Sequence, residues 1–100
     1  MLASVTTSAQ TLYAATSGLT GNYPNRRGIT LIAPSTNTGN VHFGNSSGVT
    51  SSGATTAGLF LAPGQSVTIH PSFAADAKNL YVISSTGTQN LIWDTDQNPS

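Results

Sequence analysis

The stretch Gly28-Ile29-Thr30-Leu31-Ile32-Ala33-Pro34 decides the fold. It is short, rich in β-branched side chains, and bounded by a glycine and a proline. That length suits a strand and falls well short of a helix. The same grammar repeats on either side. Ser66-Val67-Thr68-Ile69-His70 alternates cleanly and stops at Pro71, and Leu80 to Ser84 reads as a buried strand. Gln89 to Asp94 is the last strand, Val41 to Gly44 a short one, and Gly58 to Leu61 a brief apolar one. In Val41–Gly44 the alternation puts Val41 and Phe43 on one face and His42 on the other. Residues 3–14 read as one or two extended segments. Helix signals are nearly missing, because Thr, Ser, Val and Asn are weak helix formers and Gly or Pro recurs too often.

The punctuation between these strands is equally plain. Ala62-Pro63-Gly64-Gln65 has the proline and glycine that a type II turn prefers. Ser85-Thr86-Gly87-Thr88 reads as a hairpin turn, residues 15–25 and 45–58 as loops, the latter with room for a short strand around Val49. Residues 71–79 form a connection with one helical turn expected at Phe73–Ala77. Seven or eight short strands separated by turns are the pattern of an all-β, single-domain antiparallel β-sandwich or barrel. The expected core is Leu12, Ile29, Leu31, Val41, Phe43, Leu59, Leu61, Val67, Ile69, Leu80, Val82, Leu91 and Trp93. The expected organisation is an extended N-terminal segment over residues 1–15, available as an arm, a sandwich over 16–94, and a polar tail over 95–100.

Composition narrows the function. Of 100 residues, 46 are Ser, Thr, Asn or Gly, and only 6% are charged. An ordinary domain has roughly 25% charged residues. The three cations, Arg26, Arg27 and Lys78, balance Asp76, Asp94 and Asp96, and residues 28–75 carry no charged side chain other than histidine. A neutral chain with one arginine pair builds no broad phosphate-binding surface, which argues against nucleic acid. No apolar run approaches the ~20 residues of a membrane span, and cysteine is absent, which removes disulfides and thiolate chemistry. The N-terminus has no basic region followed by an apolar run, so it is not read as a secretory signal. Zero net charge is a solubility liability for a free monomer. So bland a surface is tolerable where much of it ends against other protein, and the chain is therefore expected in an assembly, made and used in a cytoplasm or released from one by lysis.

Specific chemistry is thin. His42 and His70 are the only imidazoles, and two histidines with scattered aspartates fall short of the four ligands of a structural zinc site. Asp94 and Asp96 would share a face in a strand and hold a cation or a sugar there. In a tail they would be solvated, or paired with Arg26 and Arg27 of a neighbouring copy. No Gly-x-Ser-x-Gly elbow is present, so no catalytic, cofactor-binding or metal-binding residue is assigned. Arg26 and Arg27 suit a bidentate contact to a carboxylate or to carbonyls of another chain, or a bond to a loop of their own domain. Tyr13, Tyr23 and Phe60 are candidate interface or sugar-stacking aromatics, whereas Trp93 is assigned to the core. Leu2 and Val5 are the candidate interface residues at the start of the N-terminal segment, which is expected to pair with a sheet edge of a neighbour or to lie on a shell.

One order of motifs stands out: Asn25-Arg26-Arg27-Gly28-Ile29-Thr30-Leu31-Ile32, then Val41-His42-Phe43-Gly44, Gly48-Val49-Thr50, Gly58-Leu59-Phe60-Leu61-Ala62-Pro63-Gly64-Gln65-Ser66-Val67-Thr68-Ile69, and Leu80-Tyr81-Val82-Ile83-Ser84. This order resembles the small all-β virion proteins of tailed bacteriophages, which serve as capsid decoration (cement) proteins or as modules of fibres and spikes. His42-Phe43 departs from the usual aromatic followed by Ile or Val. The resemblance covers residues 25–94. It implies a jelly-roll-like sandwich clustered around a symmetry axis, without catalysis. The expected partners are then the major capsid protein and further copies of the chain, as a trimer or a dimer. The expected interface residues are Leu2, Val5, Tyr13, Tyr23, Arg26, Arg27, Phe60, Asp94 and Asp96. The expected role is stabilisation of the phage head, with a host-glycan-binding module on a fibre or spike as the alternative.

Overall fold

A computed structural model describes residues 1–49 and 59–95. It contains eight strands and one minimal helix: β1 (Leu2–Val5), β2 (Gln10–Thr11), α1 (Leu12–Ala15), β3 (Ile29–Ile32), β4 (Val41–Gly44), β5 (Phe60–Leu61), β6 (Ser66–Ile69), β7 (Tyr81–Ser84) and β8 (Gln89–Thr95). Sheet A has the order β1-β8-β3-β6 and sheet B the order β2-β7-β4-β5. Every pairing is antiparallel. The partners β1 with β8, β2 with β7, β3 with β6 and β4 with β5 are those of one long hairpin rolled into two layers. This is the jelly-roll order.

Rolling explains a correction. Ser85 to Thr88 does not close a hairpin, because β7 lies in sheet B and β8 in sheet A. Of the connections, only β4 to β5 stays within one sheet. The 85–88 turn is held instead by Ser84, whose hydroxyl donates to the Gly87 carbonyl. The buried Gln89 side chain adds to this. Its Nε2 donates to the Thr86 carbonyl (2.7 Å) and its Oε1 accepts from the N–H groups of Thr38 and Gly39 (2.9 and 3.2 Å).

The N-terminal segment is likewise not an arm. Ala3 and Val5 are fully buried, and β1 pairs with β8 from Leu2↔Ile92 to Val5↔Gln89. The sandwich therefore begins at β1 and not at residue 16. Only Leu12–Ala15 turns helical, because Thr11 caps it: its hydroxyl accepts from the Ala14 N–H at 3.0 Å. The helical turn expected at Phe73–Ala77 does not form; the chain turns just before it, where Phe73 N–H donates to His70 O at 2.9 Å, and Asp76 makes an isolated bridge with Pro24. Val49 is buried but lies in no strand, and the rest of its loop falls outside the described residues.

The type II turn forms as its residues require. Gln65 N–H donates to Ala62 O at 3.0 Å, with Gly64 at φ 87°. Gly64 N–H also donates to Ala33 O, and Ala33 N–H donates to Gln65 O, both at 2.8 Å. This is a glycine bulge that starts β6 in register with β3. Gly28 has a stricter reason to be glycine. Its φ is 150°, and a Cβ there would sit 2.6 Å from Thr68 Cγ2.

The core between the sheets contains Leu12, Ile29, Leu31, Val41, Phe43, Leu61, Ile69, Leu80, Val82, Leu91 and Trp93, as expected. Val67 is half-buried against it, and Leu59 is 36% exposed. Both line a groove where the edge strands β5 and β6 leave the sandwich open. Trp93 is anchored through its indole N–H, which donates to Thr16 Oγ1 at 2.8 Å, and that hydroxyl donates to Leu12 O. Tyr23 packs edge-on against it with centroids 5.7 Å apart.

Candidate functional site

Strand alternation sorts the side chains of sheet A into an inner and an outer set. The outer set is Leu2 and Ser4, Asn90, Ile92 and Asp94, Thr30 and Ile32, Ser66 and Thr68, all exposed. Pair register then aligns them across the strands. Ile92 stands opposite Leu2 on one side and Ile32 on the other. Asp94 stands opposite Thr30, which stands opposite Thr68. The result is an apolar row, Leu2–Ile92–Ile32, across three adjacent strands, with 56%, 41% and 41% of each residue left exposed. Serine, threonine and asparagine surround it, and Asp94 is the one charged side chain within these four strands. Scattered apolar surface residues are ordinary, but a registered row on an uncharged sheet is a contiguous patch fit to meet another protein.

A second feature opens beside it. The groove between β5 and β6 has a volume of about 580 Å³ and is lined by Phe43, Phe60, Leu61, Val67, Ile69 and Phe73 among others. His70 stands on its rim. Its Nδ1 accepts from the Ser72 N–H at 3.1 Å, which leaves Nε2 to carry the proton of the neutral ring.

The expected interface residues divide. Leu2, Phe60 and Asp94 are exposed on or beside these features, and Tyr13 is half-buried. Val5 and Tyr23 belong to the core and offer no surface, because the inward phase of β1 and the stack on Trp93 use them. Arg26 and Arg27 are exposed in the bend before Gly28, with no ion pair among the described residues, and are not brought into the apolar row. Asp96 lies outside the described residues. With Tyr23 and Trp93 inside, the aromatic platforms open to a sugar are reduced to Phe60 and to the half-buried Tyr13, Phe73 and Tyr81.

Sequence reasoning missed Ile92 and Ile32, although both lie in the polar phase of strands whose neighbours point inward. That misplacement in phase was the available signal. It also missed Asn25, a buried side chain whose Nδ2 donates to Ile69 O (3.0 Å) and Ala74 O (2.8 Å), tying the β2–β3 loop to β6. His42 lies on β4 of sheet B and His70 just past the end of β6, and no group of three or more histidine or acidic side chains gathers among the described residues. Comparison with protein-family models, with characterised proteins and with solved structures finds no match. The functional argument therefore rests on the geometry of this chain.

Proposed function

We propose that the chain is a structural protein of a virion, a capsid decoration protein that lies across joints between major capsid protein subunits and stabilises the head of a tailed phage. The jelly roll hosts many unrelated functions and argues for none of them. The observation that carries the reading is the Leu2–Ile92–Ile32 row on a sheet face with a single charge. Covering such a row removes apolar surface from water at about 25 cal/mol per Å², and no buried charge opposes it except at Asp94. The charge-poor composition and the strand-and-turn resemblance to phage virion modules support the same conclusion. In this reading the protein is made in the bacterial cytoplasm and ends on the outer surface of the shell.

The test is quantitative mass spectrometry of particles purified from cells that make the chain. A decoration protein appears in a fixed ratio to the major capsid protein, and particles carrying Ile92→Glu lose it. A handful of copies per particle overturns the reading and points to a fibre or spike.

A further inference from the structure

Among the described residues, no further strand covers either edge of sheet A, β1 or β6, and the hydrogen-bond phases of the two edges match. Met1 N donates to Trp93 O at 2.7 Å and Trp93 N–H donates to Met1 O at 2.9 Å. In an antiparallel ladder bonded pairs alternate, so Ala3 and Val5 also face β8, while Leu2 and Ser4 turn their N–H and C=O groups away from the sheet. On the opposite edge, Ala33 N–H bonds Gln65 O. There Val67 and Ile69 face β3, while Ser66 and Thr68 point outward. Each edge therefore offers one pair of residues, spaced by two, with free donors and acceptors.

We infer that copies of this chain join head to tail, β1 of one copy adding to β6 of the next. The strands of sheet A alternate in direction, so β1 of an equally oriented neighbour meets β6 antiparallel. Leu2 then falls opposite Thr68 and Ser4 opposite Ser66, giving four backbone hydrogen bonds between two copies. All four side chains are on the outer face, so the pairing keeps inside and outside consistent. Neither edge carries the devices that prevent such addition. Leu2–Val5 and Ser66–Ile69 contain no charge and no proline. A dimer through β1 alone would leave both β6 edges bare, whereas a head-to-tail ring covers both edges of sheet A and stops growing when it closes. This goes beyond decoration itself, since it concerns how copies meet each other and not the shell.

The experiment uses the absence of native cysteine. Ser4→Cys and Ser66→Cys proteins are purified separately, mixed and oxidised, and the double variant is oxidised alone. The expected result is a cross-linked pair from the mixture and, from the double variant, a ladder ending at the ring size that native mass spectrometry gives for the unmodified protein. Ser4→Pro removes a donor that makes no bond among the described residues, at an outward edge position where proline is tolerated. It is expected to lose the ring while keeping the circular dichroism of the fold. Cross-linking of Leu2→Cys with Ser4→Cys instead would show β1 pairing with itself and overturn the inference. So would a monomer at high micromolar concentration, even one that still coats particles and leaves the decoration reading intact.

Discussion

On sheet B, Phe60, His42 and Ile83 stand opposite one another on three adjacent strands. On sheet A, Leu2, Ile92 and Ile32 do the same. Both rows face outward by strand alternation, yet His42 and Ile83 keep only 9% of their surface, against 41% for Ile92 and Ile32. In the row on sheet B only His42 and Ile83 are covered by the domain's own packing; Phe60, at the edge strand, keeps 40% of its surface beside the β5–β6 groove, its ring 5.4 Å from that of His42. The row on sheet A contributes little to the lone domain. The apolar row that folding leaves open in register is the surface to which the proposed function assigns a partner, and that contrast sets what each substitution below will change.

The largest effect lies just beneath the open face. Trp93 follows Ile92 on β8 but points inward, where it is 1% exposed and donates to Thr16. Trp93→Ala is expected to cost about 3–5 kcal/mol of stability in urea denaturation, as removal of a large buried aromatic does. Ile92→Ala, one residue away, is expected to cost under about 1 kcal/mol. Similar losses at the two positions would mean that the face is not open, and the contrast with sheet B would vanish.

The next test compares the faces directly. Ile83→Thr places a hydroxyl among covered apolar neighbours and is expected to cost about 1–2 kcal/mol. The same exchange at Ile92 puts the hydroxyl in water. A larger loss at Ile92 than at Ile83, read from denaturation midpoints at a common slope, would reverse the assignment of the two faces.

What could be read without coordinates follows the range of each interaction. The strand Ile29–Ile32 and the turn at Pro63–Gly64 were legible because alternation, φ preference and chain breaks are local. The destination of Ser85–Thr88 was not, since a tight hairpin and a crossing between layers need the same four turn-forming residues. Leu59 shares the inward phase of Leu61 and was reasonably assigned to the core. It is 36% exposed instead, ahead of β5 on the wall of the groove between β5 and β6. Asn25 looked like a loop residue, and only folding brings Ile69 and Ala74 carbonyls to it from 44 and 49 residues away. The site was half visible: lack of charge was in the composition, but the row required pair register.

The covered part of the sheet B row also carries a pH response. His42 Nδ1 is buried without a hydrogen-bond partner, and burial among apolar neighbours lowers its pKa from the ordinary 6.5. Above 6.5 the ring is neutral in both folded and unfolded chains. Below it the unfolded chain takes up a proton that the folded one resists, so stability falls as pH drops from 6.5 toward the lowered value and then levels off. His42→Phe keeps a ring against Phe60 and removes the proton site. Thermal denaturation between pH 7 and 5 (conditions spanning the ordinary histidine range) is expected to show a shallower decline for the variant. Identical slopes would place the pH response elsewhere.

The smallest effect on folding is the one that bears most on function. Ile92→Thr replaces the centre of the open row with a side chain of high strand propensity, and Thr30 and Thr68 already stand on that face. Its cost to the isolated domain is expected within about 0.5 kcal/mol, the range of surface exchanges that break no buried contact. Docking, however, loses the one residue that touches both Leu2 and Ile32 across the ladder. Occupancy on purified particles is therefore expected to fall steeply while the melting temperature of the free protein stays put, with Ile32→Thr behaving alike and Asn90→Ser, outside the row, leaving occupancy unchanged. Full occupancy by Ile92→Thr would separate the open row from shell binding and leave the sheet edges as the means of assembly.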